Sequence, residues 1–103
     1  MSRPVVFTPE ARNDLLDLYD YIAGRSGQNR AFGCIKRIEK TCMSLGTLPE
    51  RGTLRDDLRP GLRTIGFEHR VVIAFRVSTD TAAVLRILYG GRKVELAFAN
   101  YER

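Results

Sequence analysis

Leu62-Arg63-Thr64-Ile65-Gly66-Phe67, Arg70-Val71-Val72-Ile73-Ala74-Phe75-Arg76-Val77 and Ala82-Ala83-Val84-Leu85-Arg86-Ile87-Leu88-Tyr89 are three runs rich in Val, Ile, Phe and Tyr. Such runs, parted by Glu68-His69 and by Ser78-Thr79-Asp80-Thr81, predict an antiparallel meander of three strands with two tight hairpins. Side chains alternate between the two faces of a strand. Pairing Phe75 with Leu85 and Ile73 with Ile87 collects Val71, Ile73, Phe75, Val77, Ala83, Leu85, Ile87 and Tyr89 on one apolar face. This register is preferred because the alternative puts Arg86 in the core. The opposite face then carries Arg70, Val72, Ala74 and Arg76 beside Val84, Arg86 and Leu88, and Arg63 can join it. An apolar patch rimmed by arginine predicts a surface for a partner with acidic and apolar groups; the alternative is that the C-terminal segment folds over it and the arginines point to water.

What precedes the meander reads as its cover. Val5-Val6-Phe7 is a short first strand. Thr8-Pro9-Glu10 is a helix start, with a capping hydroxyl, Pro at the first helical position and a carboxylate near the positive helix end. Ala11, Leu15, Leu18 and Ile22 recur at helical spacing, Leu16 and Tyr19 widen the stripe, and Gly24 to Gly27 ends it. Asn29 is expected to cap a second helix from about Arg30 to Leu45, with the stripe Ala31, Ile35, Ile38, Cys42 and Leu45. The first helix is acidic and the second basic, which suits an antiparallel hairpin. Exposed ion pairs add under about 1 kcal/mol each, so shared apolar burial must hold it. Gly46 to Gly61, broken by Pro49, Gly52, Pro60 and Gly61, is expected to be a solvated connector. Val94 to Tyr101 reads as a short helix packing by Val94, Ala97 and Phe98. The expectation is an α+β fold over residues 1–103 as one domain. An N-terminal strand and a helical hairpin pack on one face of an antiparallel sheet, and a short C-terminal helix follows.

The net charge is +5, and of 17 basic residues only Lys36, Lys40 and Lys93 are lysine. Guanidinium groups suit two-point contact with carboxylate or phosphate, so an acidic protein or a nucleic acid is the partner class implied. Cys34 and Cys42, eight apart on one helix, lie about 12 Å apart along its axis, too far for a disulfide. They are expected as buried free thiols. His69 is the sole histidine and has no ligand-spaced companions, so neither metal nor cofactor is expected. No apolar run approaches the roughly 20 residues of a membrane span, and the start lacks a long apolar leader core, which together place the chain in the cytoplasm.

Phe7-Thr8-Pro9-Glu10-Ala11, Asp14-Leu15 and Tyr19-Asp20-Tyr21-Ile22-Ala23 resemble the start of a ParE-type toxin. The similarity continues in Leu48-Pro49-Glu50-Arg51-Gly52, in Arg55-Asp56-Asp57-Leu58-Arg59-Pro60-Gly61-Leu62-Arg63 and in Val84-Leu85-Arg86-Ile87-Leu88-Tyr89-Gly90-Gly91-Arg92. The ordered set runs over nearly the whole chain and implies the RelE/ParE superfamily of toxin–antitoxin systems, with their role in plasmid stabilisation. For a ParE-type member the resemblance implies inhibition of DNA gyrase by protein binding, and neutralisation by a ParD-type antitoxin in a hetero-oligomer. Sequence-specific nucleic-acid binding is not expected. For a RelE-type member it implies ribosome-dependent cleavage of messenger RNA. That reaction needs a base, an acid and phosphate-binding cations. Arg63, Arg70 and Arg92 match RelE-like basic positions, but Phe98 stands where such a nuclease has its tyrosine, so no catalytic set is assigned and the binding-type toxin is favoured. A partner-binding module without toxicity is the third reading. An antitoxin with acidic and apolar residues is expected to lie on Arg70, Val72, Arg76, Val84, Arg86 and Leu88 and to reach Leu16 and Tyr19; the alternatives are that Arg86 forms a structural ion pair within the domain and that Leu16 and Tyr19 belong to the core. Arg63 and Arg92 are the candidates for target contact.

Overall fold

A computed structural model describes residues 3–48, 50–68, 70–90 and 92–98. The elements follow in the order β1 (Val5–Phe7), α1 (Pro9–Ser26), α2 (Gln28–Ser44), β2 (Thr53–Leu54), β3 (Leu62–Phe67), β4 (Val71–Val77), β5 (Ala82–Tyr89) and α3 (Val94–Ala97). Among the described residues five strands form one sheet in the order β1-β5-β4-β3-β2. β1 runs parallel to β5, and the other neighbours are antiparallel. The helical hairpin covers one face. This is the α+β architecture expected.

α1 starts as its sequence dictates. Thr8 is extended, its hydroxyl accepts from the Ala11 N–H, and Pro9 takes the first helical position. α2 does not start at Asn29. It begins at Gln28 directly behind Gly27, which has a φ of 94° and closes one helix while opening the next. Only a glycine takes that angle cheaply, so the whole interhelical turn is one residue. Ala11, Leu18, Ile38, Cys42 and Leu45 then bury against Val71, Ile73, Phe75, Val84 and Ile87. Cys42 is fully buried and Cys34 half-buried, and both are free thiols.

The β4–β5 register departs from the expectation halfway along. Ile73 pairs with Ile87 and Val71 with Tyr89 as expected, but Phe75 pairs with Val84, Arg76 with Ala83 and Val77 with Ala82. A bulge at Ala74/Phe75 absorbs the difference. The turn over residues 78–81 has an even number of residues and is locked by Ser78, whose N–H donates to the Thr81 carbonyl at 2.8 Å. That turn sets one register, the apolar pattern at the far end sets the other, and one extra residue on β5 reconciles them. Leu85 consequently leaves the hairpin side. Val84 takes its place in the helix-covered core, fully buried.

The outer face is not an open platform. Leu62, Ala74 and Leu88 are buried there beneath Val94 and Phe98, with Leu58, Val72, Leu85 and Ala97 packed around them. The connector takes part in this cover. Arg55 pairs with Asp57 at 2.9 Å and reaches Glu95 of the short helix at 3.2 Å, and the Arg59 guanidinium stands 5.0 Å over the Phe98 ring. The connector also adds the strand β2 against β3, so it is not the solvated loop expected. The part of the expected C-terminal helix beyond Phe98, including Tyr101, lies outside the described residues, as does His69 of the first hairpin.

Candidate functional site

The arginines expected on one surface are dispersed. Arg76 is exposed on the outer face, its side chain lying along Gly61. Arg70 precedes β4 and lines a cleft on the hairpin side with Leu18, Ile22 and Cys34. Arg63 pairs with Phe75, which also turns it to the hairpin side, and its Nη1 donates to the carbonyl of Glu50 at 3.2 Å. Arg92 is exposed, its guanidinium 5.1 Å over the Tyr89 ring. The Val84 and Tyr89 levels of β5 are five residues apart, which separates the Arg63 and Arg92 neighbourhoods by roughly 16 Å along the sheet. Arg63 and Arg92 therefore do not converge. Val84 and Leu88, expected as contact residues, are buried at 0% and 1% exposure, and Val72 is half-buried.

Arg86 is engaged within the chain. Its Nε and Nη2 donate to Asp14 of α1 at 2.7 and 3.1 Å, a two-point pair. Donating to the Asp14 carboxylate drives the Arg86 pKa above its ordinary value. Asp14 Oδ2 also accepts the Ile87 N–H at 2.8 Å. β1 reaches only to the Val84 level, so β5 beyond it is a free sheet edge. α1 supplies the missing partners. The Thr8 N–H donates to the Val84 carbonyl, the Thr8 hydroxyl to the Leu85 carbonyl at 2.8 Å, and Asp14 takes the next N–H. A helix thus closes an edge that would otherwise offer strand pairing. Asp14 was legible in principle: it falls between Ala11 and Leu18 at spacings of three and four, a carboxylate inside an apolar stripe.

Leu16 is 64% exposed and Tyr19 half-buried on α1. Two residues advance a helix by about 200°, so Leu16 faces away from Asp14 and hence from Arg86. Leu16, Arg70, Arg76 and Arg92 are the expected contact residues that are exposed, and they are spread over α1, the hairpin-side cleft, the outer face and the segment after β5. On α2, Arg37 holds Glu68 in a two-point pair at 2.8 and 3.0 Å. The Arg37 guanidinium lowers the Glu68 carboxyl below its usual range. Among the described residues no group of three or more His, Cys, Asp or Glu side chains is placed to hold a metal ion. No helix there is long and apolar enough to cross a membrane.

The family model described as the ParE toxin of the type II toxin–antitoxin system parDE matches residues 5–94. The chain belongs to the ParE toxin family. It is thus a type II toxin of the RelE/ParE superfamily. Toxin ParE3 of Caulobacter vibrioides is 33% identical over 86 residues, which is 84% of this chain and 85% of that protein. The chromosomal ParDE system of P. aeruginosa contains a chain that superposes with a TM-score of 0.74 at 26% identity, over 85% of this chain and 96% of that one. A chain of the RelBE2 toxin–antitoxin complex of Mycobacterium tuberculosis shares the fold, with a TM-score of 0.62 at 20% identity, over 89% of this chain and 95% of that one. The ParE family match spans every strand and both long helices, so the Thr8–Asp14 closure of β5 belongs to the part of the chain that carries the family resemblance.

Proposed function

We propose that this ParE-family toxin inhibits DNA gyrase by binding it, and that a ParD-type antitoxin neutralises it by wrapping around it. The observation that carries the binding-type reading is the fate of the cations. Phosphate cleavage needs cations grouped about one scissile bond with a proton donor and acceptor in reach. Here Arg63 is held by backbone carbonyls at the start of β3, Arg70 and Arg92 stand near Tyr89 at the far end of β5, remote from Arg63, and Arg86 is spent on Asp14. Glu68 is taken up by Arg37, and Phe98 is a buried ring under Arg59. Cations spread in this way serve contact with a large partner better than chemistry on one bond. The scatter of Leu16, Arg76 and Arg92 likewise favours an antitoxin that is extended and encircles the toxin. Such a segment covers a large surface and orders as it binds.

Purified toxin added to a gyrase supercoiling and DNA-cleavage assay tests the first part. Loss of supercoiling or accumulation of cleaved DNA is expected, and unchanged gyrase at large toxin excess overturns it. New 5′ ends on translated messages after induction would replace the reading with a ribosome-dependent nuclease. For the antitoxin, Leu16→Glu and Arg76→Glu are the informative variants because both side chains are exposed. Each is expected to weaken the complex at least tenfold with little change in thermal stability. Arg86→Glu is a poor probe: it sets a carboxylate against Asp14 and destabilises the toxin itself.

A further inference from the structure

The tip of the helical hairpin stands over the β3–β4 turn and leaves a cleft of about 300 Å³. Its floor is apolar, made by Leu18, Ile22, Phe67 and Val71. One wall is the Tyr21–Tyr89 ring pair, with centroids 5.5 Å apart. That volume is at the small end of the range for pockets that bury a ligand, and it holds one large side chain rather than a cofactor. The mouth is cationic. Arg25 and Arg70 both line it, and the Arg25 guanidinium is kept there by stacking 5.2 Å over the Tyr21 ring. Neither forms an ion pair among the described residues. The carboxylate at the mouth, Glu68, has both oxygens occupied by Arg37.

We propose that this cleft is a docking pocket for an acidic peptide that inserts one large apolar side chain, its flanking carboxylates meeting Arg25 and Arg70. An apolar floor under unpaired guanidinium groups selects for that combination. A polyanionic backbone such as nucleic acid would meet the cations but leave the floor unfilled. A second copy of this chain would bring a net charge of +5 against a cationic rim. The pocket does not depend on the gyrase reading, since a chain inert toward gyrase would still present it.

Cys34 lines the cleft while Cys42 is fully buried, so alkylation of Cys34 reports occupancy and Cys42 is the internal check on folding. The probe is an acetylated, amidated pentapeptide, Asp-Glu-Phe-Asp-Glu, with controls carrying Ala for Phe or Lys for every acid. Labelling by N-ethylmaleimide is followed at pH 8.5 by mass spectrometry of the native full chain. The acidic Phe peptide is expected to slow Cys34 labelling about fivefold at about four times its Kd, by simple mass action. The Ala peptide should give less than a third of that protection. In the Arg25→Glu/Arg70→Glu variant, with Cys42 still unlabelled, protection should be lost for the acidic peptide and gained for the basic one. Equal protection by the Phe and Ala peptides, none by either at millimolar concentration, or protection that persists in the double variant overturns the proposal. So does Cys34 protection that rises with protein concentration alone, which would make the occupant a second copy.

Discussion

Asp14 illustrates what one residue holds here. It is 4% exposed and accepts three hydrogen bonds, two from a guanidinium that is itself largely covered. Removing one partner of such a pair strands the other, whereas removing both can be nearly neutral. Asp14→Ala should therefore cost about 3 kcal/mol in urea unfolding, and Asp14→Asn less, since an amide oxygen can still accept from Ile87. Asp14→Leu combined with Arg86→Met should recover most of the loss. A double variant no better than Asp14→Ala would show that the Ile87 N–H, not the ion pair, carries the energy. A different residue controls alkaline stability. Burial, with the Glu39 charge adding to it, pushes the Cys42 thiol from 9.0 up to about 12. A folded-state pKa above the unfolded value means the contribution is complete below pH 9 and is lost as the pH climbs toward 12. Between pH 9 and 11 the chain should lose about 1 kcal/mol per pH unit more than its Cys42→Ala variant, because a proton held by the folded chain and released by the unfolded one makes stability fall by at most about 1.4 kcal/mol per pH unit. Denaturation curves on the two proteins at matched pH cancel the tyrosines and lysines they share, and parallel slopes would refute the assignment.

Elements were more legible than the way they meet. β1, α1, α2, β3, β4 and β5 follow from periodicity and caps because each pattern is local. The bulge does not, since it results from a conflict between the four-residue turn after Val77 and the apolar alternation around Ile87, which only the paired strands reveal. One misplaced residue moved Val84 from the expected contact face into the core. α3 was legible as a helix and its covering of the outer face as an alternative to an open surface, but the choice between them was not, because a four-residue helix derives its place from Leu62, Ala74 and Leu88 beneath it. Phe98→Ala should expose that second core, costing about 3 kcal/mol, at the low end for a buried aromatic because the chain end can relax. Enhanced binding of an apolar dye would accompany the loss, and an unchanged dye signal would mean that α3 is ornamental. β2 was missed because two residues carry no periodicity. Its place rests on Gly52, whose φ of 79° already disfavours a side chain and whose added Cβ would collide with the Thr64 carbonyl. Gly52→Ala should then destabilise the chain by at least about 1 kcal/mol and free the β3 edge for hydrogen exchange.

For the molecule as a whole, charge and shape were read correctly in kind and wrongly in place. The net charge of +5 and the arginine bias stand, but the arginines divide their labour: Arg55, Arg59 and Arg86 hold the fold together, Arg63 ties a loop, and Arg25, Arg70, Arg76 and Arg92 carry charge to the surface. Sequence alone cannot make that division, because an arginine beside a carboxylate distant in the chain looks the same as one beside water. The division has a measurable consequence for association. An acidic partner is drawn by the surface set, and exposed charge pairs are screened over a Debye length of about 8 Å at physiological salt. Under the proposed binding of an acidic antitoxin, association should therefore slow steeply between about 50 mM and 500 mM salt, while dissociation, which that proposal assigns to apolar contacts such as Leu16, should change little. Neutralising Arg76 and Arg92 to Gln should flatten the salt dependence of the on-rate, and Arg55→Gln should not, because its charge is already answered by Asp57 and Glu95. Equal flattening by all three in stopped-flow measurements would mean that net charge alone steers the encounter, and that the separation into structural and surface arginines has no bearing on binding.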